Sequence, residues 1–273
     1  MSEMRHTLAQ QSPAASITTI PTELVLMIVE NLDIKDISRF SRTCRHFINL
    51  LQREMFVNAS TYPHKAMRLA CSTASRYGDP AAIIDRALAY GVPEDVNTVL
   101  RNPKYGYVFG TPLEHAVQVG GVSTVTHLLS LGADPNAPTV STIHAGTNLG
   151  TALNRFQGLC TYLYIADYTE YLDQLRDSGR VVGILLDAGA DATTSYSFIT
   201  DPYFKKRTMY TPLPRFVHQV AHALAILDST GSCPGHVLDE VRQLVKDIIA
   251  KLVASGASID GIGLNELGPS PVG

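Results

Sequence analysis

No two of the four cysteines stand close enough to form a CxxC pair: Cys44, Cys71, Cys160 and Cys233 are scattered along the chain. That spacing argues against a disulfide framework or a structural zinc site and for reduced thiols, as in cytoplasm or nucleus. There is no basic excess. A net charge of −3 and an isoelectric point near 6.3 provide no field to draw the chain to nucleic acid or an anionic membrane, so neither is an expected partner. There is no long apolar run either. The longest, Leu24 to Val29, falls far short of the roughly 20 residues that cross a bilayer. Residues 1–16 lack the apolar core of a signal peptide and read as a disordered leader.

Catalytic signatures are also missing. The sequence holds no GxxxxGK[ST], no GxGxxG after a strand and no GxSxG elbow, so phosphate cradles and activated serines lack their usual local geometry. His218 and His222 are spaced like zinc ligands on one helical face, but Gln219 stands where a metalloprotease needs its general-base Glu. No third ligand is apparent. Cys44, beside Arg45 and His46, falls at a helical core position, where a thiol behaves as a small hydrophobe. The expectation is a non-enzyme with no metal, cofactor or catalytic residue.

What is present is an ordinary globular composition: 273 residues, 45% of them apolar, enough to bury one or two cores. The first organised stretch is IPTELVLMIVENLDIKDISRFSRTCRHF, from Ile20 to Phe47. Pro21 suits a first helical turn and Glu23 complements the positive end of the dipole. Apolar residues from Leu24 to Leu32 cover most of the circumference, so this helix needs burial on two sides. Asp33 can cap a second helix carrying Ile34, Ile37 and Phe40 on one face, and Thr43 can start a third. A bundle of about forty residues rarely builds a sufficient core alone. The surplus surface calls for a neighbour, either another chain or the rest of this one.

This stretch, residues 17–57, resembles an F-box. Ile20, Pro21, Glu23 and Leu24 stand at the opening signature, with Ile20 in place of the commoner Leu. Ile28 and Leu32 stand at the spaced aliphatics, Asp36 and Ile37 at the central pair, and Cys44, Arg45 and Phe47 at the close. The resemblance implies docking on the Skp adaptor and, through it, on a cullin-RING ubiquitin ligase. It places the adaptor-binding residues at Ile20, Pro21, Leu24, Ile28, Leu32, Ile37 and Phe40, each facing either the adaptor or the bundle's own core.

Past a linker at 58–64, TPLEHAVQVGGVSTVTHLLSLGADPNA from Thr111 to Ala137 holds a complete helix pair with its punctuation. Thr111 caps, Pro112 begins a helix, Gly120 and Gly121 turn, and Gly132 permits a left-handed end, with Asp134 and Asn136 in the following turn. The beginning returns as TAL at Thr151 and TPL at Thr211, and the ending near Gly189 and Gly256, as a repeated unit requires. A weaker copy runs from Ala66 to Gly91, turning at Asp79. These units resemble ankyrin repeats, about four and divergent, over 65–262, with a flexible tail at 263–273. The usual His of TPLH is replaced by Glu114, Asn154 and Pro214, which puts the family's hydrogen bond at that position in doubt. The intervals between the starts exceed a repeat of about 33 residues and imply loop insertions.

Three insertions stand out, at 161–179, 195–210 and 228–236, and the first two gather many of the chain's tyrosines. They read either as extensions of the repeat core or as a binding surface. On the second reading the target-binding residues are Glu114, His115, Tyr162, Tyr164, Tyr168, Tyr203 and Phe204. The expected architecture is all-α: a short three-helix F-box bundle followed by an ankyrin-repeat solenoid with loop insertions. The expected function is a non-catalytic substrate receptor of an SCF-type ubiquitin ligase, holding an unknown target protein. The alternative is an ankyrin scaffold outside any ligase, with the bundle capping the solenoid.

Overall fold

The computed structural model describes residues 20–29, 31–32, 34–48, 50–51, 65–72, 79–91, 93, 95–102, 107–139, 146–163, 168–194, 196–201, 206–231 and 233–258. The leader, linker and tail expected from the sequence lie outside these residues. The chain divides into two compact units, Met1–Ser60 and Thr61–Gly273.

In the first unit, α1 spans Thr22–Val29 and α2 spans Ile34–Ser41, and helical backbone recurs at 45–48 and 50–51. Pro21 stands just before α1. Its carbonyl accepts from the Leu24 and Val25 amides at 3.1 and 3.2 Å, and as proline it brings no amide of its own to be left unpaired. Thr43 closes α2 rather than opening the next helix, since its hydroxyl donates to the Phe40 carbonyl at 2.7 Å. The core consists of Val25, Val29, Ile37, Phe47 and Leu51. Val25 and Val29, one turn apart, place one face of α1 inward, and Phe40 stacks obliquely on Phe47 with ring centroids 4.6 Å apart.

The second unit is built from helix pairs. They are α3 (Lys65–Ser72) with α4 (Pro80–Ala89), α5 (Pro112–Val119) with α6 (Val122–Ser130), α7 (Asn148–Tyr162) with α8 (Tyr168–Asp187), and α9 (Pro212–Thr230) with α10 (Gly235–Ala254). Sequence punctuation explains most of the boundaries. Asp79 caps α4 by accepting from the Ala81 amide at 3.1 Å, and Thr111 caps α5 by accepting from the Glu114 amide at 3.2 Å. The turns at Gly91, Gly132, Gly189 and Gly256 all take positive φ, which glycine adopts without strain.

One start differs from the sequence expectation. Thr147, not Thr151, caps α7, with its hydroxyl accepting from the Gly150 amide at 3.1 Å. The repeat signature there is TNL rather than TPL, and Thr151 lies buried inside the helix, donating back to the Thr147 carbonyl at 3.2 Å. In this register Gly150, not Asn154, is the fourth residue of the start. Asn148, in the place of the missing proline, is fully buried and donates to the Pro135 carbonyl at 3.2 Å.

The chain is mostly helical but not wholly so. Two antiparallel hairpins, β1 (Leu100–Asn102) with β2 (Tyr107–Gly110) and β3 (Tyr196–Asp201) with β4 (Lys206–Tyr210), run into α5 and α9. The second insertion is therefore a hairpin, not an irregular loop: its β-branched and aromatic residues suit paired strands. The first insertion is mostly helical, lengthening α8 to 20 residues.

Successive pairs stack in two rows. Helices α3, α5, α7 and α9 touch in order along one row, and α4, α6, α8 and α10 along the other. Each pair covers apolar surface that its neighbour cannot bury alone. Two asparagines tie the turns between pairs. Asn97 donates to the Gly132 carbonyl at 3.1 Å and accepts from the Asp134 amide at 2.8 Å. One pair further on, Asn136 donates to the Gly189 carbonyl at 2.9 Å and accepts from the Asp191 amide at 2.7 Å. At the next equivalent position Thr193 has no side-chain amide, and its hydroxyl turns to Asp191 at 2.6 Å. The junction of α8 with α10 carries the ion pairs Arg176–Glu240 at 2.6 Å and Lys251–Asp187 at 3.1 Å. Asn136→Ala removes two hydrogen bonds that bridge pairs, and urea titration is expected to show a loss of about 1 to 2 kcal/mol.

Candidate functional site

Two surfaces have the makings of a site, one on each unit. On α1 the inward face is Val25 and Val29, while Leu24, Met27 and Ile28 are 50%, 60% and 47% exposed. Three large aliphatics side by side on one short helix form an open apolar patch, the kind of surface that marks an interaction site. The sequence asked for burial on two sides, and one of those sides is left open. Ile20, Leu32 and Phe40 are partly buried against the bundle core. Ile37 is 1% exposed, so it belongs to the core and is withdrawn from the expected adaptor surface. Met27 stands with Leu24 and Ile28 among the exposed residues of α1. Periodicity does not single out Met27, because the whole circumference of α1 is apolar; the position of Val25 and Val29 relative to Ile37 and Phe47 decides the faces.

In the second unit, α5, α7 and α9 together line a cavity of about 420 Å³. Gln118 comes from α5; Asn154, Arg155, Gln157 and Tyr162 come from α7; Arg215 and Gln219 come from α9. Arg155 is held in place by its Nη1, which donates to the Gln118 carbonyl at 2.8 Å. Gly120 makes that approach possible, because a Cβ there would come within 2.6 Å of Arg155 Nε. Its φ of 77° is also one that a residue with a side chain rarely adopts. Burial lowers the Arg155 guanidinium from its ordinary value, and Arg215 is 6% exposed. Tyr162, half exposed, stacks on Tyr171 with centroids 5.9 Å apart.

Of the described residues expected to bind a target, only Tyr162 lines this cavity. Glu114 is 1% exposed, which removes it from any surface role. Its carboxylate packs over Gly110 and accepts from Gln118 Nε2 at 3.4 Å. His115 is half-buried; burial, together with the positive charge of Arg68, lowers its imidazole to about 4, so it is neutral near pH 7. Tyr164, Tyr203 and Phe204 lie outside the described residues, as does the side chain of Tyr168 at the start of α8.

Burial pushes the Cys71 and Cys160 thiols up to about 12, away from nucleophilic use. His218 and His222 are exposed on α9. Among the described residues no group of three His, Cys, Asp or Glu side chains is placed to hold a metal, and no helix is long and apolar enough to cross a membrane.

The two candidate surfaces are thus an open aliphatic face on a small bundle and a cavity in a stack of helix pairs. Residues 17–58 match the F-box domain, the module that binds the Skp adaptor within SCF-type ubiquitin ligases. No curated protein matches the chain.

Proposed function

We propose that this protein is a substrate receptor of an SCF-type cullin-RING ubiquitin ligase, its F-box seated on the Skp adaptor and its second unit holding a target protein. The observation that carries the reading is the F-box match over residues 17–58, with Leu24, Met27 and Ile28 exposed on its first helix. The second unit is read as divergent ankyrin repeats. Support comes from helix pairs stacked in two rows, the Thr-Pro-Leu starts at Thr111 and Thr211, and the positive-φ glycines that end each pair, all marks of a repeat architecture. The receptor does no bond chemistry. It raises the effective concentration of target lysines beside the ubiquitin carrier.

Co-expression with a Skp adaptor, followed by size-exclusion chromatography, is expected to give a stable one-to-one complex. A folded chain that elutes alone, indifferent to the adaptor, would overturn the reading in favour of a scaffold outside the ligase.

A further inference from the structure

The cavity between α5, α7 and α9 has a chemical bias that the receptor reading does not by itself specify. Two arginines, Arg155 and Arg215, line it together with the carboxamides of Gln118, Asn154, Gln157 and Gln219, and no carboxylate is in the lining. Arg155 donates only to the Gln118 backbone carbonyl, and burial is the sole influence that shifts its charge equilibrium. Among the described residues it therefore carries a partly desolvated positive charge with no acid beside it. Such a charge is costly and is relieved by an incoming anion.

The surroundings of the wall are also short of acceptors. Asn154 Nδ2 and Arg155 Nε are buried donors without an acceptor, whereas buried donors in folded proteins are nearly always paired. Both belong to residues of the lining. Glu114, the carboxylate closest in the hydrogen-bond network, is engaged by Gln118 and is not part of the wall.

Arginine beside carboxamides is a donor set for an oxyanion carried on a peptide. The guanidinium meets the charge, and the amides serve a remaining oxygen or the flanking backbone. The stacked pair Tyr162 and Tyr171 offers a flat apolar rim for a neighbouring residue. The cavity's 420 Å³ accommodates a side chain of this kind but not a folded element. We infer that this cavity is the target-reading site, and that it takes an acidic peptide segment whose carboxylate or phosphate group enters between Arg155 and Arg215. The inference rests on the receptor reading for the identity of the peptide as part of a target.

The test uses the full chain mixed with the Skp adaptor and a degenerate peptide library whose central position is fixed as Glu, phosphoserine, Gln or Lys. Retention of the Glu or phosphoserine pool about tenfold or more above the Gln pool is expected. Which of the two is retained distinguishes carboxylate from phosphate as the source of the charge. Arg155→Gln is expected to erase the preference. Because Arg155 also braces Gln118, Gln157→Glu serves as a second variant: it leaves the braced arginine in place and adds a repelling charge to the wall, with the same expected loss. Equal retention of the Gln pool, retention of no pool, or a preference that survives Gln157→Glu would overturn the inference. Adaptor capture is scored on the same preparations. Capture without an oxyanion preference removes this inference and leaves the receptor reading standing; a preference without capture does the reverse.

Discussion

Replacing Leu24 and Ile28 together with aspartate is expected to abolish capture of the Skp adaptor while leaving the fold intact. Both side chains are about half exposed on α1, so the change adds charge where water already reaches. The cost to the bundle is limited to the weaker helix propensity of aspartate, about 0.5 kcal/mol at each position. The cost to binding is much larger, because a docking helix presses its aliphatics into a dry surface where a charge has no partner. Removing two central anchors, each worth about 2 kcal/mol or more, raises the dissociation constant at least about 700-fold. The informative contrast is Val25→Asp, on the opposite face and fully buried, which unfolds the bundle. Lost capture with an unchanged melting curve identifies the open face as the adaptor surface. A fall of several degrees for the Leu24/Ile28 variant would instead mean that the face is covered from within the chain.

The second large effect lies in the other unit. Phe156 on α7 and Phe216 on α9 are both buried, with ring centroids 5.7 Å apart in a tilted pair. Gly179 of α8 lies beside them: a Cβ added there would meet the Phe156 ring at 3.5 Å and Ile248 of α10 at 3.7 Å, ordinary van der Waals contact. Phe156 thus sits where the third and fourth helix pairs meet. Phe156→Ala leaves a cavity between the third and fourth helix pairs, and the expected loss is about 3 to 5 kcal/mol. For a unit of this size that corresponds to a fall in melting temperature of about 10 °C. Adaptor capture, which depends on the first unit, is expected to persist. A loss below about 1 kcal/mol would mean that the two rows slide together to refill the space.

Much of the fold is written locally in the chain. Pro112 after a capping Thr111, Gly120 at the turn and Gly132 at the end each act within one or two turns of helix, and local signals of that kind can be read from sequence. The F-box signature is equally local. What escapes such reading depends on residues far apart. Thr147 gives no warning as a cap because Asn148 stands where proline usually marks the start, and Asn148 makes sense only once the Pro135 carbonyl is beside it. Glu114 looks available, being polar on a helix of a binding repeat, but Gly110 leaves a space that draws its carboxylate inward. The candidate cavity draws on Gln118, Arg155 and Arg215, residues that no periodicity connects. The hairpins are hard to foresee because their strands are short and flank loops that interrupt the repeat spacing.

The asparagine ties have a mechanical consequence. Asn97 and Asn136 hold the first two junctions through backbone-directed amide bonds, which are neutral and indifferent to ionic strength. At the third junction Thr193 makes no such bond, and exposed ion pairs such as Arg176–Glu240 and Lys251–Asp187 span it instead, a kind of link that dissolved salt screens. The ties between pairs are therefore unevenly sensitive to salt: the two junctions held by asparagine are expected to be indifferent to it, and the third, although packed around Phe156 and Phe216, is expected to lose part of its polar reinforcement as salt rises.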